Sequence, residues 1–209
     1  KTLSSSGTTS GKKSKIYLDK INSENQMKVL NKILSKKFGK QRRPMLFIEK
    51  DPMKSNRKRF SASLAALYGF SILASKQCYL LKEDGEINYE ILEKFMEKFS
   101  KEKFYIFGFT SSIFKDFYKK INDNYLDFKN ATLIHGGGWK KLSDIGISNE
   151  SFKKKIKKKF NINKIFNYYG LIEQTGSIFF ECKNGYFVSS IFSDIVIRDK
   201  NFNILPNNR

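Results

Sequence analysis

The sequence has few of the residues that define several protein classes. Its 209 residues include two cysteines, Cys78 and Cys182, and one histidine, His135, so it offers neither a disulfide framework nor a His/Cys metal site. Isolated cysteines are typical of reducing compartments, and we expect the protein to be cytoplasmic. No apolar run approaches the roughly 20 residues that a membrane-spanning helix needs, so we predict no transmembrane segment.

Arginine is also scarce. The formal charge of +20 suggests nucleic-acid binding, but only six of the 40 basic residues are arginine. Proteins that recognise base sequence favour the bidentate arginine fork, and the lysines here are scattered along the chain. We therefore predict no nucleic-acid partner. A basic, non-enzymatic module that binds nucleic acid or a membrane surface is the alternative from a different functional class.

Apolar strand-like runs alternate with amphipathic segments along the chain. This alternation predicts an α/β fold with a mostly parallel sheet flanked by helices, and the length fits a single domain over residues 1–209. The densest lysine run, at 153–159, lies in a helix whose apolar residues recur every four positions, so its lysines are predicted to face solvent. The predicted strands are 15–19, 45–48, 77–82, 104–109, 131–134, 165–169 and 192–198, and the predicted helices are 23–38, 61–73, 88–99, 113–121 and 152–160.

Glycines directly follow two of these strands. Gly136, Gly137 and Gly138 come after the strand at 131–134, and Gly170 comes after the strand at 165–169. Ligands of parallel sheets bind in crevices outside the carboxyl ends of the strands. We therefore expect the glycine triplet and the Tyr169–Glu173 stretch to lie on the same edge of the sheet and to face one cleft.

The opening stretch, Ser4–Lys15, combines glycines and small hydroxyl residues with lysines. Glycine backbone freedom, hydroxyl donors and positive charge together suit a phosphate cradle. By composition alone, a flexible Ser/Gly linker is the better interpretation. A P-loop is excluded, because the pair Gly11-Lys12 would require a glycine at Ser6 and a serine or threonine at Lys13.

Three stretches together carry a more specific resemblance. Ser5-Ser6-Gly7-Thr8-Thr9 is similar to the phosphate-loop signature of the adenylate-forming enzyme superfamily. The stretches Ile134–Lys141 and Tyr168–Cys182 follow in the expected order. All three resemble the LuxE-type acyl-protein synthetases, the fatty-acid-activating components of bacterial fatty acid reductases. Because the chain begins at Lys1, inside the first motif, the resemblance implies part of the large adenylation domain. The N-terminal part and the mobile C-terminal lid would be missing, and the piece alone would be inactive.

The resemblance implies a role for each motif. The opening loop would hold the β- and γ-phosphates of ATP, with Lys15 or Lys13 as the loop lysine. Glu173 would hold Mg²⁺ against the phosphates, which suits a hard cation, and Tyr169 would lie on the adenine. His135 is expected to be structural, and Asp194 does not match the family's ribose-binding motif. The implied phosphate- and adenine-binding residues are Ser6, Gly7, Thr8, Thr9, Gly136, Gly137, Gly138, Tyr169 and Gly170, and the implied catalytic residues are Glu173 and Lys15.

The implied activity is ATP- and Mg²⁺-dependent conversion of a carboxylic acid, expected to be a long-chain fatty acid, into acyl-AMP and pyrophosphate. The acyl group would then pass to a protein thiol of a fatty acid reductase component. An acyl- or aryl-CoA ligase, with CoA as the acceptor, is the alternative within enzymes. Cys182 is a weaker acceptor hypothesis, because a cysteine that follows two phenylalanines is more often structural.

The phosphate-cradle and linker hypotheses predict different behaviour for the opening loop. If the loop holds the nucleotide, replacing Thr8 and Thr9 by alanine removes two hydroxyl donors. This change should raise KM for ATP or lower kcat in steady-state assays, and the domain should stay folded. Full activity in the double variant would contradict the phosphate cradle and support the linker.

Overall fold

The computed structural model describes residues 2–4, 15–54, 61–122, 127–137, 146–171 and 174–206. The strands are β1 (Thr2–Ser4), β2 (Lys15–Tyr17), β3 (Arg43–Lys50), β4 (Ala74–Leu81), β5 (Phe104–Phe109), β6 (Ala131–Gly136), β7 (Lys164–Gly170), β8 (Ile178–Glu181) and β9 (Phe187–Val188). The helices are α1 (Lys20–Phe38), α2 (Ala62–Phe70), which continues as a 3-10 turn (Ser71–Leu73), α3 (Tyr89–Phe99), α4 (Thr110–Ser112), which continues as a π-helical turn (Ile113–Tyr118), and α5 (Asn149–Phe160).

Within the described residues, seven strands form one sheet in the order β4-β3-β5-β6-β7-β8-β9, and β1 and β2 form a separate antiparallel pair. The first five strands of the large sheet are mutually parallel, whereas β8 pairs antiparallel with β7 and β9 pairs antiparallel with β8. This architecture confirms the predicted α/β fold with a mostly parallel sheet. The chain runs from β3 out to the edge strand β4 and then back across β3 to β5, so the strand order reverses there, where such sheets bind ligands.

Side-chain oxygens cap the N-termini of α1, α2, α3 and α5. Asp19 accepts a hydrogen bond from the backbone N–H of Asn22 at the start of α1, at 2.7 Å. Ser61, Asn88 and Ser148 play the same part for α2, α3 and α5, each at 3.2 Å. These bonds satisfy donors that a helix leaves unpaired in its first turn. The helix boundaries therefore follow from short polar residues at fixed positions.

Two apolar layers enclose the sheet, one on each face. The α5 face is covered by α3, the π-helical turn and α5, and the α2 face is covered by α1 and α2. Strand alternation separates the two layers: Leu46 and Ile48 of β3 lie on the α5 face, whereas Met45 and Phe47 lie on the α2 face. Because both faces are covered, the central strands are continuous apolar runs without polar alternation.

The prediction of a closing strand over residues 192–198 is wrong. This segment has no regular strand, and a single bridge joins Arg198 to Ile204. Ile195, Val196 and Ile197 are about half exposed, at 52%, 54% and 47%. β-branched composition favours a strand only where a neighbouring strand supplies pairing and burial, and no strand in the described part of the chain pairs with this segment.

Candidate functional site

The ends of β6 and β7 bring two of the three motifs together. The strands pair in parallel, and Gly136 lies in register with Tyr168. Gly137 directly follows β6, and Tyr169 and Gly170 complete β7. For these described residues, the expectation that both motifs share one edge of the sheet is met. Gly138, Ile172 and Glu173 lie outside the described residues.

Gly136 and Gly137 meet different constraints. A Cβ atom on Gly136 would lie 2.4 Å from the backbone oxygen of Tyr168 and 2.6 Å from its ring. Gly137 has room for a Cβ atom, but its φ of +66° belongs to the left-handed region that favours glycine. Gly136 therefore permits close strand packing, and Gly137 permits the turn that ends β6.

The adjacent tyrosines of β7 point to opposite faces of the sheet. Tyr168 is buried on the α2 face, where its ring centroid lies 4.6 Å from that of Phe70. Burial, with a smaller contribution from the Glu49 carboxylate, raises the pKa of Tyr168 far above its usual value. Tyr169 is 52% exposed, and its ring lies 6.2 Å from the rings of Phe179 and Phe187. Of the two rings, the Tyr169 ring is the one accessible to a ligand.

Lys15 lies at the base of the opening loop. It pairs with Ser4 in the antiparallel β1–β2 sheet and is exposed. Ser6, Gly7, Thr8 and Thr9 belong to the connection between these two strands and lie outside the described residues. Lys15 is the first residue of β2, the strand that follows this connection.

Hydrogen bonds on either side of Glu173 close the β7–β8 connection. The N–H of Leu171 donates to the oxygen of Ser177 at 3.0 Å, and the N–H of Gln174 donates to the oxygen of Leu171 at 3.2 Å. Gly170 then pairs with Ile178 as β8 returns antiparallel to β7. In sequence, Glu173 follows β7 and precedes β8. Within the described residues, no group of three His, Cys, Asp or Glu side chains could hold a metal ion.

His135 is fully buried on the α5 face of the sheet. Its Nδ1 atom lies 3.0 Å from the Thr110 hydroxyl, and its ring centroid lies 4.7 Å from that of Phe152. Burial is the main cause that lowers the pKa of His135 from 6.5 to about 3, and the ammonium of Lys153 contributes less. The imidazole is therefore neutral at physiological pH and a poor proton acceptor, which supports the structural role expected from sequence.

An ion pair near this histidine escaped the sequence analysis. Glu181 at the end of β8 has a side chain only 5% exposed, and its carboxylate accepts from Lys153 at 2.6 Å and from Asn149 at 2.8 Å. Lys153 is thus an exception to the prediction that the α5 lysines face solvent. A glutamate at the end of the apolar run Phe179-Phe180 was the available signal, because a buried carboxylate requires a partner.

Asn167 is a second buried polar residue that the sequence did not predict. It lies in register with His135 and is 3% exposed, and among the described residues its side-chain oxygen has no hydrogen-bond partner. Strand alternation places Asn167 on the same face as Tyr169, two residues further along β7. An acceptor of this kind is unusual, since buried polar atoms are normally paired.

The single histidine makes a pH test simple. The unfolded chain takes up a proton near pH 6.5, which the folded chain resists down to about pH 3, so stability should fall as the pH falls through this range. Between pH 7 and pH 5, His135 should account for roughly 2 kcal/mol of lost stability. Urea unfolding at both pH values should show a smaller loss for His135→Asn than for the unaltered protein. An equal loss in both proteins would contradict the assignment.

The packing of Gly136 against β7 gives a second test. Gly136→Ala should lower the free energy of unfolding by about 3 kcal/mol, because the new methyl group meets a backbone oxygen that cannot turn away. Gly170→Ala is the matched control, since its nearest neighbour atom would be 3.7 Å from the added Cβ. Denaturant titration of both variants measures the difference, and equal stabilities would show that the strands separate easily here.

Solved structures with a similar fold include adenylate-forming enzymes. ATP-bound MatB from Rhodopseudomonas palustris matches all of this chain with a TM-score of 0.59 and 13% identity. McbA, an amide bond synthetase from Marinactinospora thermotolerans, matches 96% of it with a TM-score of 0.56 and 10% identity. At these identities the likeness shows the fold alone. The chain spans 37% of the length of either protein.

No curated protein matches the chain in sequence. A family model does match, and it extends from residue 1 to residue 208. It therefore includes the opening loop, the glycine triplet at the end of β6 and the tyrosine-glutamate stretch after β7. The chain belongs to the acyl-protein synthetase family LuxE.

Proposed function

We propose that the protein containing this chain activates a carboxylic acid with ATP. The acid's carboxylate oxygen attacks the α-phosphorus of ATP, the bond to the β-phosphate breaks, and acyl-AMP and pyrophosphate form. Family membership supports this reaction. The observation that carries the proposal is the pairing of Gly136 with Tyr168, which gives two of the three motifs one common edge of the sheet.

We propose that the nucleotide lies along this edge. The exposed ring of Tyr169 offers a flat apolar surface to adenine, and the glycines that end β6 would let the backbone approach the base closely. The hydroxyls and N–H groups of Ser6–Thr9 bind the β- and γ-phosphates, and Lys15 adds positive charge at the start of β2. Catalysis then rests on positioning and charge stabilisation, which dominate phosphoryl and nucleotidyl transfer.

Glu173 is our proposed magnesium ligand. Mg²⁺ usually takes one or two protein carboxylates and completes its shell with phosphate oxygens and water. A single glutamate between β7 and β8 fits that requirement. When bound, the ion neutralises phosphate charge as pyrophosphate leaves. The buried, neutral His135 has no part in this step.

The second half-reaction transfers the acyl group from acyl-AMP to a thiol. We propose a long-chain fatty acid as the substrate and a protein thiol as the acceptor, in the cytoplasm, where the free thiols Cys78 and Cys182 fit reducing conditions. With CoA as the acceptor, the first half-reaction would be identical. Trapping the product separates the two acceptors, because a thioester on protein precipitates with acid whereas acyl-CoA stays in solution.

Pyrophosphate exchange tests the proposed activation step. The complete natural polypeptide should exchange labelled pyrophosphate into ATP only when a suitable acid is present, and a panel from acetate to stearate identifies that acid. A folded protein that binds ATP but shows no exchange with any acid would overturn the proposal. Binding of nucleic acid or of a membrane surface that needs no ATP and weakens steeply with salt would favour the basic, non-enzymatic module instead.

Removing one carboxylate tests the metal ligand. Glu173→Gln should lower Mg²⁺-dependent exchange by about 100-fold, because the amide keeps the shape of the side chain but loses its charge. Binding of the acid, measured by calorimetry, should change little. Glu150→Gln is the matched control, since Glu150 forms only an exposed pair with Lys154 on α5. Equal exchange in the two variants would rule out the assigned role of Glu173.

A further inference from the structure

An open groove runs between the edge strand β4 and helix α3, with a volume of about 540 Å³. Its apolar lining includes Ile91 and Phe95 of α3 and Leu81 of β4. Lysines stand around it: Lys54, Lys76, Lys82, Lys94 and Lys98 line the groove, against the acids Asp51 and Glu83. We call this feature the β4 groove. It lies at the end of the sheet furthest from β8 and β9.

The groove carries uncompensated positive charge. Lys94 is paired with Glu90 at 2.6 Å, in an exposed pair along α3. Within the described residues, the salt bridges do not include Lys76 or Lys98. Both ammonium groups also lower the pKa of the Cys78 thiol, but burial has the larger effect and raises that pKa above its ordinary value. The charge favours an anionic occupant.

The backbone beside the groove has an open edge. The C-terminal end of β4 is covered, because Asn88 N–H donates to Leu80 and Lys82 N–H donates to Glu86, both at 2.8 Å. Further back along β4, residues 76–79 pair only with β3 in the part of the chain that the structure describes, and the register shifts at Ser75. Ser75, Lys76 and Gln77 are exposed. A stretch of four residues lies within the usual range of strand lengths.

We propose that the β4 groove binds an extended, acidic polypeptide segment of a partner protein, which adds to β4 as a further strand. Edge backbone groups supply hydrogen bonds to such a segment, and pockets for alternate side chains supply specificity. Acidic side chains of the segment would meet Lys76 and Lys98, and apolar side chains would meet Phe95 and its neighbours. This inference does not depend on the adenylation chemistry proposed above.

A second copy of this chain fits the groove poorly as the occupant. Two β4 edges brought together would oppose the same lysines, and like charges directly opposite in a sheet are destabilising. Edge lysines are also a common device against sheet-to-sheet association. If the lysines of β4 serve only to prevent such association, no partner segment binds the groove. The experiment must distinguish this outcome from the proposal.

Fluorescence anisotropy with a labelled peptide tests the inference on the unaltered protein. The probe is a six-residue peptide of alternating glutamate and valine. It should bind at least tenfold more tightly than the matching lysine-valine peptide and than hexaglutamate. N-methylation of alternate amides along one edge of the probe should abolish binding, because it removes the strand hydrogen bonds. Equal binding of the glutamate-valine peptide and hexaglutamate would show simple charge attraction and overturn the proposal, as would no binding.

Charge reversal locates the site. The double change Lys76→Glu and Lys98→Glu should weaken probe binding at least tenfold. Lys183→Glu with Lys200→Glu is the matched control, because both residues are exposed and neither lines the β4 groove. Circular dichroism checks that each variant is folded. If a variant does not fold, the N-methylated probe still tests the proposal on the unaltered protein. Loss of binding only in the control variant, or self-association that competes with the probe, would overturn the proposal.

Discussion

Parallel pairing between β6 and β7 fixes the position of the candidate site. Because the strands run in the same direction, both end at the same edge, and the residues that follow them are neighbours regardless of the length of chain between. The register that joins Gly136 to Tyr168 therefore brings together two motifs that are separated in sequence by a full crossover helix. Tyr169 and Gly137 occupy their positions as a result of that pairing.

At this edge, the two faces of the sheet carry different kinds of side chain. On the α2 face, Tyr168 packs against phenylalanines and belongs to the core. On the α5 face, His135, Asn167 and the Glu181–Lys153 pair form a polar region above the apolar layer. Buried polar groups are costly unless they are paired, and most of these are paired across different elements. The α5 face, on which Tyr169 lies, is therefore the more constrained of the two faces at this edge.

Some of this architecture could be predicted from sequence. The apolar runs at 104–109 and 131–134 correspond to β5 and β6, since strands covered on both faces need apolar residues throughout. The motif glycines could also be placed at strand ends. β8 and β9 could not, because they are short, and their assignment depends on antiparallel pairing with β7. The strand expected at 192–198 fails for the converse reason, since no strand in the described part of the chain pairs with it.

The site shows the same division between local and distant information. The alternation of β7 is local and separates Tyr168 from Tyr169 once the strand is known. The partner of Glu181 is not local, because Lys153 lies 28 positions away in the sequence. Composition identifies Lys153 only as one of many lysines. A pair that forms across two elements becomes visible only when the fold brings β8 beneath α5.

The contact at Gly136 also has a consequence for how this sequence can diverge. A clash between two side chains can be relieved by a second substitution, and the two positions then change together. Here the closest atom is the backbone oxygen of Tyr168, which every amino acid carries. No replacement at position 168 would make room for a side chain at position 136. Evolution can therefore change position 136 only by first altering the spacing of the strands themselves.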